Sequence, residues 1–287
     1  MGTHQSLRRA WHQLISNFPT PIREDLRWVT TTSLGYLESI SIRRNELVPP
    51  PWMRVRSGMG NWTRVGREYR DVFVELGGLK PSDSVLEVGC GPGRIAVALT
   101  DYLDSQGSYE GFDISPEAID WCQMRITPRY PNFRFRLVDI RNDLYNPKGS
   151  VNAASFDFPY LADSFDFVFL TSVFTHMLTP AVEHYLREIA RVLKTGGRCV
   201  ITYFLLNEES FDLMESGESE LCFPSDHGSY RVENPTHPER AVAYDVGFVR
   251  RLYAQFGLEI IEPIHWGSWS GREQFQVFQD VVIAEKK

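Results

Sequence analysis

Among 287 residues the chain holds only four cysteines, Cys90, Cys122, Cys199 and Cys222, far apart and without a CxxC pair. That spacing provides neither a zinc framework nor a disulfide scaffold and reads as reduced thiols in a cytoplasmic protein, so no metal is expected. Long apolar runs are also missing: VITYFLL and its like fall far short of the roughly 20 residues a membrane span needs. The N-terminal MGTHQSLRRAWHQL has no apolar signal core, so a membrane is not an expected partner. Nor is there a basic excess. Thirty Lys and Arg face 37 Asp and Glu, for a net charge of −7 and no basic stripe, which argues against a nucleic-acid partner. No internal repeat is visible. What remains is 43% hydrophobic and 23% charged, the composition of a soluble globular chain that can bury a substantial core.

Three kinds of sequence follow one another. Residues 1 to about 48 read as helical, with Trp11, Leu14, Ile15 and Phe18 at three-to-four spacing and breaks at Pro19 and Pro21. LVPPPWM then predicts an extended joint, because each proline restricts the residue before it. The expected division is therefore 1–60 as an N-terminal helical extension with a Pro-rich joint and 61–287 as the main domain. A helix around Trp62 to Leu76 ends at Gly77-Gly78. From residue 83 strands and helices alternate. SVLEV, YEGF, FRFRLV, FDFVFL and RCVITYFLL are strands; RIAVALTDYL, the segment opened by Ser115-Pro116-Glu117, and PAVEHYLREIARVL up to Gly196-Gly197 are helices. That alternation predicts an α/β, Rossmann-like doubly wound parallel sheet with its ligand crevice at the carboxyl ends of the strands. GLEIIEPIHW and FQVFQDVVIAE, joined by GSWSGREQ with no helix between them, predict an antiparallel hairpin at the sheet edge.

The first strand runs into LEVGCGPGR, where Gly91 to Ala96 also satisfy GxGxxG/A, the dinucleotide fingerprint. Glycines directly after a strand permit a tight turn and close backbone approach to any nucleoside ligand, so the pattern alone decides little. Position decides more. Glu87 stands two residues before Gly89, where a carboxylate would repel a pyrophosphate but suit a cationic ligand. Asp113, about twenty residues beyond the glycines, ends the second strand and suits a ribose diol; Asp139, ending the third, could accept from an adenine amino group. Three acids at three successive strand ends describe a site for a nucleoside carrying positive charge.

With LEVGCGPGR, YEGFDIS, RLVDI, FDFVFLTSVFTHM and LREIARVLKTGGRCVITYF in this order, the chain resembles the class I S-adenosylmethionine-dependent methyltransferases from about residue 60 to its end. The resemblance implies a seven-stranded sheet in the order 3-2-1-4-5-7-6 with strand 7 antiparallel. It implies that Glu87, Gly89, Gly91 and Gly93 line the methionine and ribose part of S-adenosylmethionine, that Asp113 binds the ribose hydroxyls, that Ile114 flanks the adenine, and that Asp139 with Ile140 meets its amino edge. Thr171 falls where the family contacts the methionine end, and Cys90 is grouped with the cofactor loop although its side chain reads as a small packing residue. SVFTHM together with ELVPPPWMRVRSG resembles a bacterial subgroup found in polysaccharide and natural-product settings. LTSV stands where an NPPY-like tetrapeptide would mark methylation of planar base amino groups, which disfavours a nucleic-acid substrate.

The expected activity is methyl transfer to a hydroxyl or amine of a small molecule or glycan intermediate, leaving S-adenosylhomocysteine, by a monomer or homodimer. His176 is the candidate base, since an imidazole with a pKa of about 6.5 suits proton removal near neutrality; its competing role is to pack or cap the next helix. His227 and His265 are weaker candidates, and Trp266, Trp269 and Phe275 read as core or lid. The polar, acidic stretch 206–243 is the expected substrate lid. Two other classes compete: a nicotinamide oxidoreductase, which leaves Glu87 and the hairpin unexplained, and a catalytically silent cofactor-binding protein, which keeps every motif.

Overall fold

The computed structural model describes residues 46–55 and 60–287, with nothing said of the Val55 side chain. The expected N-terminal helices lie outside the described residues, apart from residues 46–48. By its contacts the chain divides into two compact units, Met1–Val65 and Gly66–Lys287. In the first, the prolines do not simply extend the chain. Pro51 opens a short helix, Pro51–Val55, with the Pro50 carbonyl accepting from Met53 N at 3.0 Å and Arg54 N at 3.2 Å. Proline suits that first helical position because its missing N–H would have had no partner there.

The second unit is built on one mixed sheet. Its strands are β1 (Ser84–Val88), β2 (Ser108–Asp113), β3 (Phe133–Leu137), β4 (Phe165–Leu170), β5 (Leu193–Tyr203), β6 (Leu258–Ile260) and β7 (Asp280–Lys286). They lie in the order β3-β2-β1-β4-β5-β7-β6. The first five are parallel, while β7 runs antiparallel to both β5 and β6. This is the order that the motifs implied. Helices α1 (Trp62–Glu75), α2 (Arg94–Leu99), α3 (Pro116–Arg125), α4 (Thr179–Val192), α5 (Glu208–Glu215) and α6 (Val246–Gln255) complete the frame. β1 and β4 are central and bury nearly every side chain, so they read as continuous apolar runs rather than as alternations. Ser115 caps α3 as expected, accepting from Ala118 N with Pro116 next in line.

Three local expectations need correction. α4 ends at Val192, four residues before Gly196, and Leu193 is already extended; Gly196 instead takes a left-handed turn (φ 75°) inside the segment that enters β5. The link between β6 and β7 is longer than GSWSGREQ. It runs from residue 261 to 279, with His265 bridged to Val281 and a short 3-10 turn at Ser268–Ser270. The 206–243 stretch is folded rather than irregular. Leu205–Leu206, Val242–Asp245, Tyr230–Val232 and Ser225–Asp226 form a second, four-stranded sheet, and α5 starts on a capping box between Asn207 and Ser210. Phe204, Leu206, Phe223, Ala241 and Ala243 bury a small core of their own around Trp269, which packs on Phe204 and Phe223 at 5.4 and 5.5 Å between ring centres.

Asp280, at the start of β7 and fully buried, joins this insertion to the last hairpin. Its carboxylate accepts from Leu205 N, Gly267 N and Trp269 Nε1, each at 2.7 Å. Arg272 stands 3.7 Å away and is held in turn by Glu209, Asn207 and Ser270. Burial nonetheless outweighs these partners and pushes the carboxyl up to about 6. Asp280→Ala strands three buried donors, each costing about 1–3 kcal/mol. A thermal midpoint lowered by about 6 °C or more is expected by calorimetry; an unchanged midpoint would show that the knot contributes nothing.

Candidate functional site

The carboxyl ends of β1, β2 and β4 meet at the glycine loop. Gly89 N and Cys90 N donate to the Phe112 carbonyl at 2.9 and 3.1 Å, which ties the loop to β2, and Gly93 N closes the turn on Cys90 O at 3.0 Å. Gly89, Gly91 and Gly93 all have positive φ, at 78°, 49° and 79°, a region costly for other residues. Packing requires two of them besides: a Cβ at Gly89 would stand 2.5 Å from Val173 Cγ2, and one at Gly93 2.7 Å from Ile126 Cδ1. Turn geometry and close approach are thus the same requirement. Cys90 is buried, and burial pushes its thiol well up, in keeping with a packing side chain.

Asp113 fixes the loop's far side. Its Oδ2 accepts from Gly91 N at 2.7 Å and its Oδ1 from Ser115 N at 2.8 Å. Burial pushes the carboxyl up and the amides pull it back. Each oxygen keeps lone-pair capacity for a further donor. Ser115 Oγ performs the helix cap, while Asp113 ties the glycine loop to the residue that starts the helix.

Glu87 departs from the expected picture. It does not line an open crevice but lies under the loop, 2% exposed. Tyr109 Oη donates to its carboxylate, and Arg94 faces it from α2. Burial raises it to about 8; Tyr109 and Arg94 oppose that rise, and Asp113 adds to it. Contrary to the expectation from sequence, Glu87 in the free protein at neutral pH is therefore largely protonated and does not repel a pyrophosphate.

The remaining residues spread along the same edge. Ile114 is half-buried against the main core and Ile140 is buried within it. Asp139 is exposed and serves its own loop, accepting from Ser150 Oγ at 2.6 Å, Ser150 N at 3.2 Å and Asn146 Nδ2 at 3.4 Å. These bonds, those of Ser150 first, hold its carboxyl below the usual range. Thr171, half-buried, is the first residue past β4. His176 ends a 3-10 turn, Phe174–His176. Its Nδ1 meets the Glu239 carbonyl of the insertion at 3.0 Å, and Tyr145 packs edge-on at 5.4 Å. Burial lowers its pKa. A protonated Nδ1 donating to that carbonyl leaves Nε2 with the free lone pair.

His227 is exposed and stacked on Tyr230, Trp269 is core, Phe275 is exposed, and Trp266 lies under the Arg272 guanidinium at 4.6 Å. Tyr109 and Arg94, beneath the loop, and Ser172, Thr202 and Gln279, beside it, escape sequence reasoning: each stands in a run that reads as ordinary strand, helix or turn. Two cavities, about 440 and 490 Å³, lie elsewhere, the first at Lys80, Asp166 and Lys194 and the second at Glu209, Trp266 and Arg272.

The site thus joins a strand-end carboxylate with spare acceptor capacity to a loop of left-handed glycines. The family model described as a methyltransferase domain matches residues 79–243, more than half of the chain. The 2-phytyl-1,4-naphtoquinone methyltransferase of Nostoc sp. is 24% identical over 148 residues, which are 51% of this chain and 58% of that protein. An uncharacterized 37.1 kDa protein in transposon TN4556 of Streptomyces fradiae is 30% identical over 139 residues, 48% of this chain and 35% of that one. The chain thus spans only part of the length of these curated relatives. A Pyrococcus horikoshii protein of known crystal structure shares the fold, with a TM-score of 0.56 at 16% identity, over 86% of this chain and all of that one. Since the matched stretch holds every glycine and strand-end acid of the site, the chain belongs to the methyltransferase-domain family, the class I S-adenosylmethionine-dependent methyltransferases.

Proposed function

We propose that this protein transfers the methyl group of S-adenosylmethionine to a hydroxyl or amine of a small molecule, such as a glycan or natural-product intermediate. The observation that carries the reading is the Asp113 clamp on Gly91, which holds a glycine-rich loop and a carboxylate with spare lone pairs together at one sheet end. The name of the naphthoquinone methyltransferase relative supports a small-molecule acceptor. When bound, the cofactor supplies a sulfonium methyl that is already activated, so the protein has mainly to place a nucleophile in line and exclude water.

Asp113 would accept the ribose hydroxyls on its remaining lone pairs, Ile114 would flank the adenine, and Asp139 with Ile140 would stand at its amino edge. Gly89, Cys90, Gly91, Gly93 and Thr171 would bring backbone to the methionine end, with Glu87 below. The folded insertion, residues 206–243, would cover the acceptor as a lid. His176, joined to that insertion through Glu239 O, would hold or take a proton from the acceptor at Nε2. Incubation with S-adenosylmethionine and a panel of hydroxyl- and amine-bearing acceptors should yield S-adenosylhomocysteine. Binding without product from any acceptor would favour the silent cofactor-binding protein instead.

Asp113→Ala, which loses the carboxylate's hydrogen bonds to the ribose, and Gly91→Val, which puts a β-branched side chain where φ is 49°, should each weaken S-adenosylmethionine affinity roughly 100-fold, while circular dichroism stays native. Unchanged affinity in both refutes the site. Glu87 gives a pH signature. Its folded value of about 8 exceeds the ordinary 4.5, so in the free protein it costs stability as pH rises from about 4.5 toward 8. A cationic ligand above it lowers that value, so binding releases a proton at pH 7 and tightens with pH up to about 8. Calorimetry in buffers of different ionisation enthalpy should register the release in the native protein and none in Glu87→Gln; no release in the native protein contradicts the assignment. His176→Ala should lower turnover about 100-fold with cofactor affinity intact, whereas full turnover would reduce His176 to a clasp.

A further inference from the structure

Between Thr171 and Val173, whose side chain closes on Gly89, lies Ser172 with a left-handed backbone (φ 58°). A non-glycine residue persists there only where its surroundings over-determine it. Ser172 N donates to Thr202 Oγ1 at 2.9 Å, and Ser172 Oγ donates to Gln279 Oε1 at 3.0 Å. Thr202 Oγ1 donates to the same Gln279 oxygen at 2.7 Å. Thr202 comes from the end of β5, and Gln279 immediately precedes β7. Three elements thus converge beside the cofactor loop on one polar cluster, in which Thr202 is 1% and Gln279 6% exposed.

The pattern fixes the carboxamide's orientation. Thr202 Oγ1 already accepts the Ser172 amide, so its own proton goes to Gln279, and the atom receiving it together with the Ser172 proton is Oε1. Nε2 is left over. Among the described residues it has no hydrogen-bond partner, and it is not one of the enclosed polar atoms, so it is open to a ligand from outside. Because Oε1 is already occupied by two protons, the side chain offers its surroundings a donor and no acceptor. That presentation suits an oxygen bearing lone pairs and no proton.

Resting on the methyltransferase reading above, we propose that Gln279 determines acceptor specificity, its Nε2 donating to a carbonyl or carboxylate oxygen on the molecule to be methylated. Ser172 and Thr202 are the positioning residues that aim it. A merely structural cluster would hold the 171–173 loop equally well but would not distinguish one small molecule from another.

The test uses an isosteric pair, acetophenone and α-methylstyrene, which differ by C=O against C=CH2. Each is titrated by ligand-observed NMR into the full chain saturated with S-adenosylhomocysteine. The native protein should prefer acetophenone by about threefold to tenfold, the worth of one hydrogen bond. Gln279→Leu should abolish the preference while leaving S-adenosylhomocysteine affinity unchanged, which also shows that the variant is folded. Equal binding of the two probes, no binding of acetophenone, or a preference that survives Gln279→Leu overturns the proposal. Failure of S-adenosylhomocysteine to bind the native protein overturns the cofactor reading and this proposal with it.

Discussion

The hydrogen bond from Gly91 N to Asp113 Oδ2, 2.7 Å long, joins the loop after the first strand to the end of the second. The rest of the site depends on it. Asp113 also accepts the first amide before α3, so one carboxylate sets both the course of the loop and the start of the helix that packs under it. Ile126 and Cys122 of that helical segment press on Gly93, and Val173 after β4 presses on Gly89. The loop is held in place from both flanks as well as from below, where Glu87, Tyr109 and Arg94 form a buried acid, hydroxyl and cation cluster. A loop fixed on all sides gives up little conformational freedom when it closes on a ligand.

A second organising contact lies across the sheet. Asp280 links the hairpin to the insertion through Leu205 N and Trp269 Nε1, and Gln279 beside it reaches Thr202 and Ser172. The antiparallel last strand therefore does more than finish the sheet. It carries the insertion on one residue and approaches the cofactor loop through the next. His176 completes the frame, because its bond to Glu239 O joins the turn after β4 to the same insertion. Cofactor loop, acceptor side and insertion are thus coupled through short polar contacts.

Much of this arrangement is legible in the sequence. The central strands announce themselves as the apolar runs SVLEV and FDFVFL and the third as the alternation FRFRL, and the lack of a helix between the last two strands shows the antiparallel edge. The glycines are legible because few residues tolerate their backbone. What stays hidden depends on partners distant in the chain. SGESELCFPSDHGSYRVENP looks irregular because its strands are only two to four residues long and its core is assembled from Phe204, Phe223 and Trp269, which are far apart in sequence. The protonation of Glu87 is set by its burial under the loop, against the opposing hydrogen bond from Tyr109 one strand over. Gln279 stands in an ordinary strand-like run, and only the fold brings it to Ser172. The proline run after Leu47 misleads for a local reason, since Pro51 suits a first helical turn as well as an extended chain.

On this reading the loop and Asp113 select a nucleoside with a sulfonium or thioether amino acid over one with a pyrophosphate. Calorimetric titration of the intact chain with S-adenosylmethionine, S-adenosylhomocysteine and NAD tests it most directly. The account predicts saturable binding of the first two and none of the third; binding of NAD with no heat from either S-adenosyl compound would contradict it.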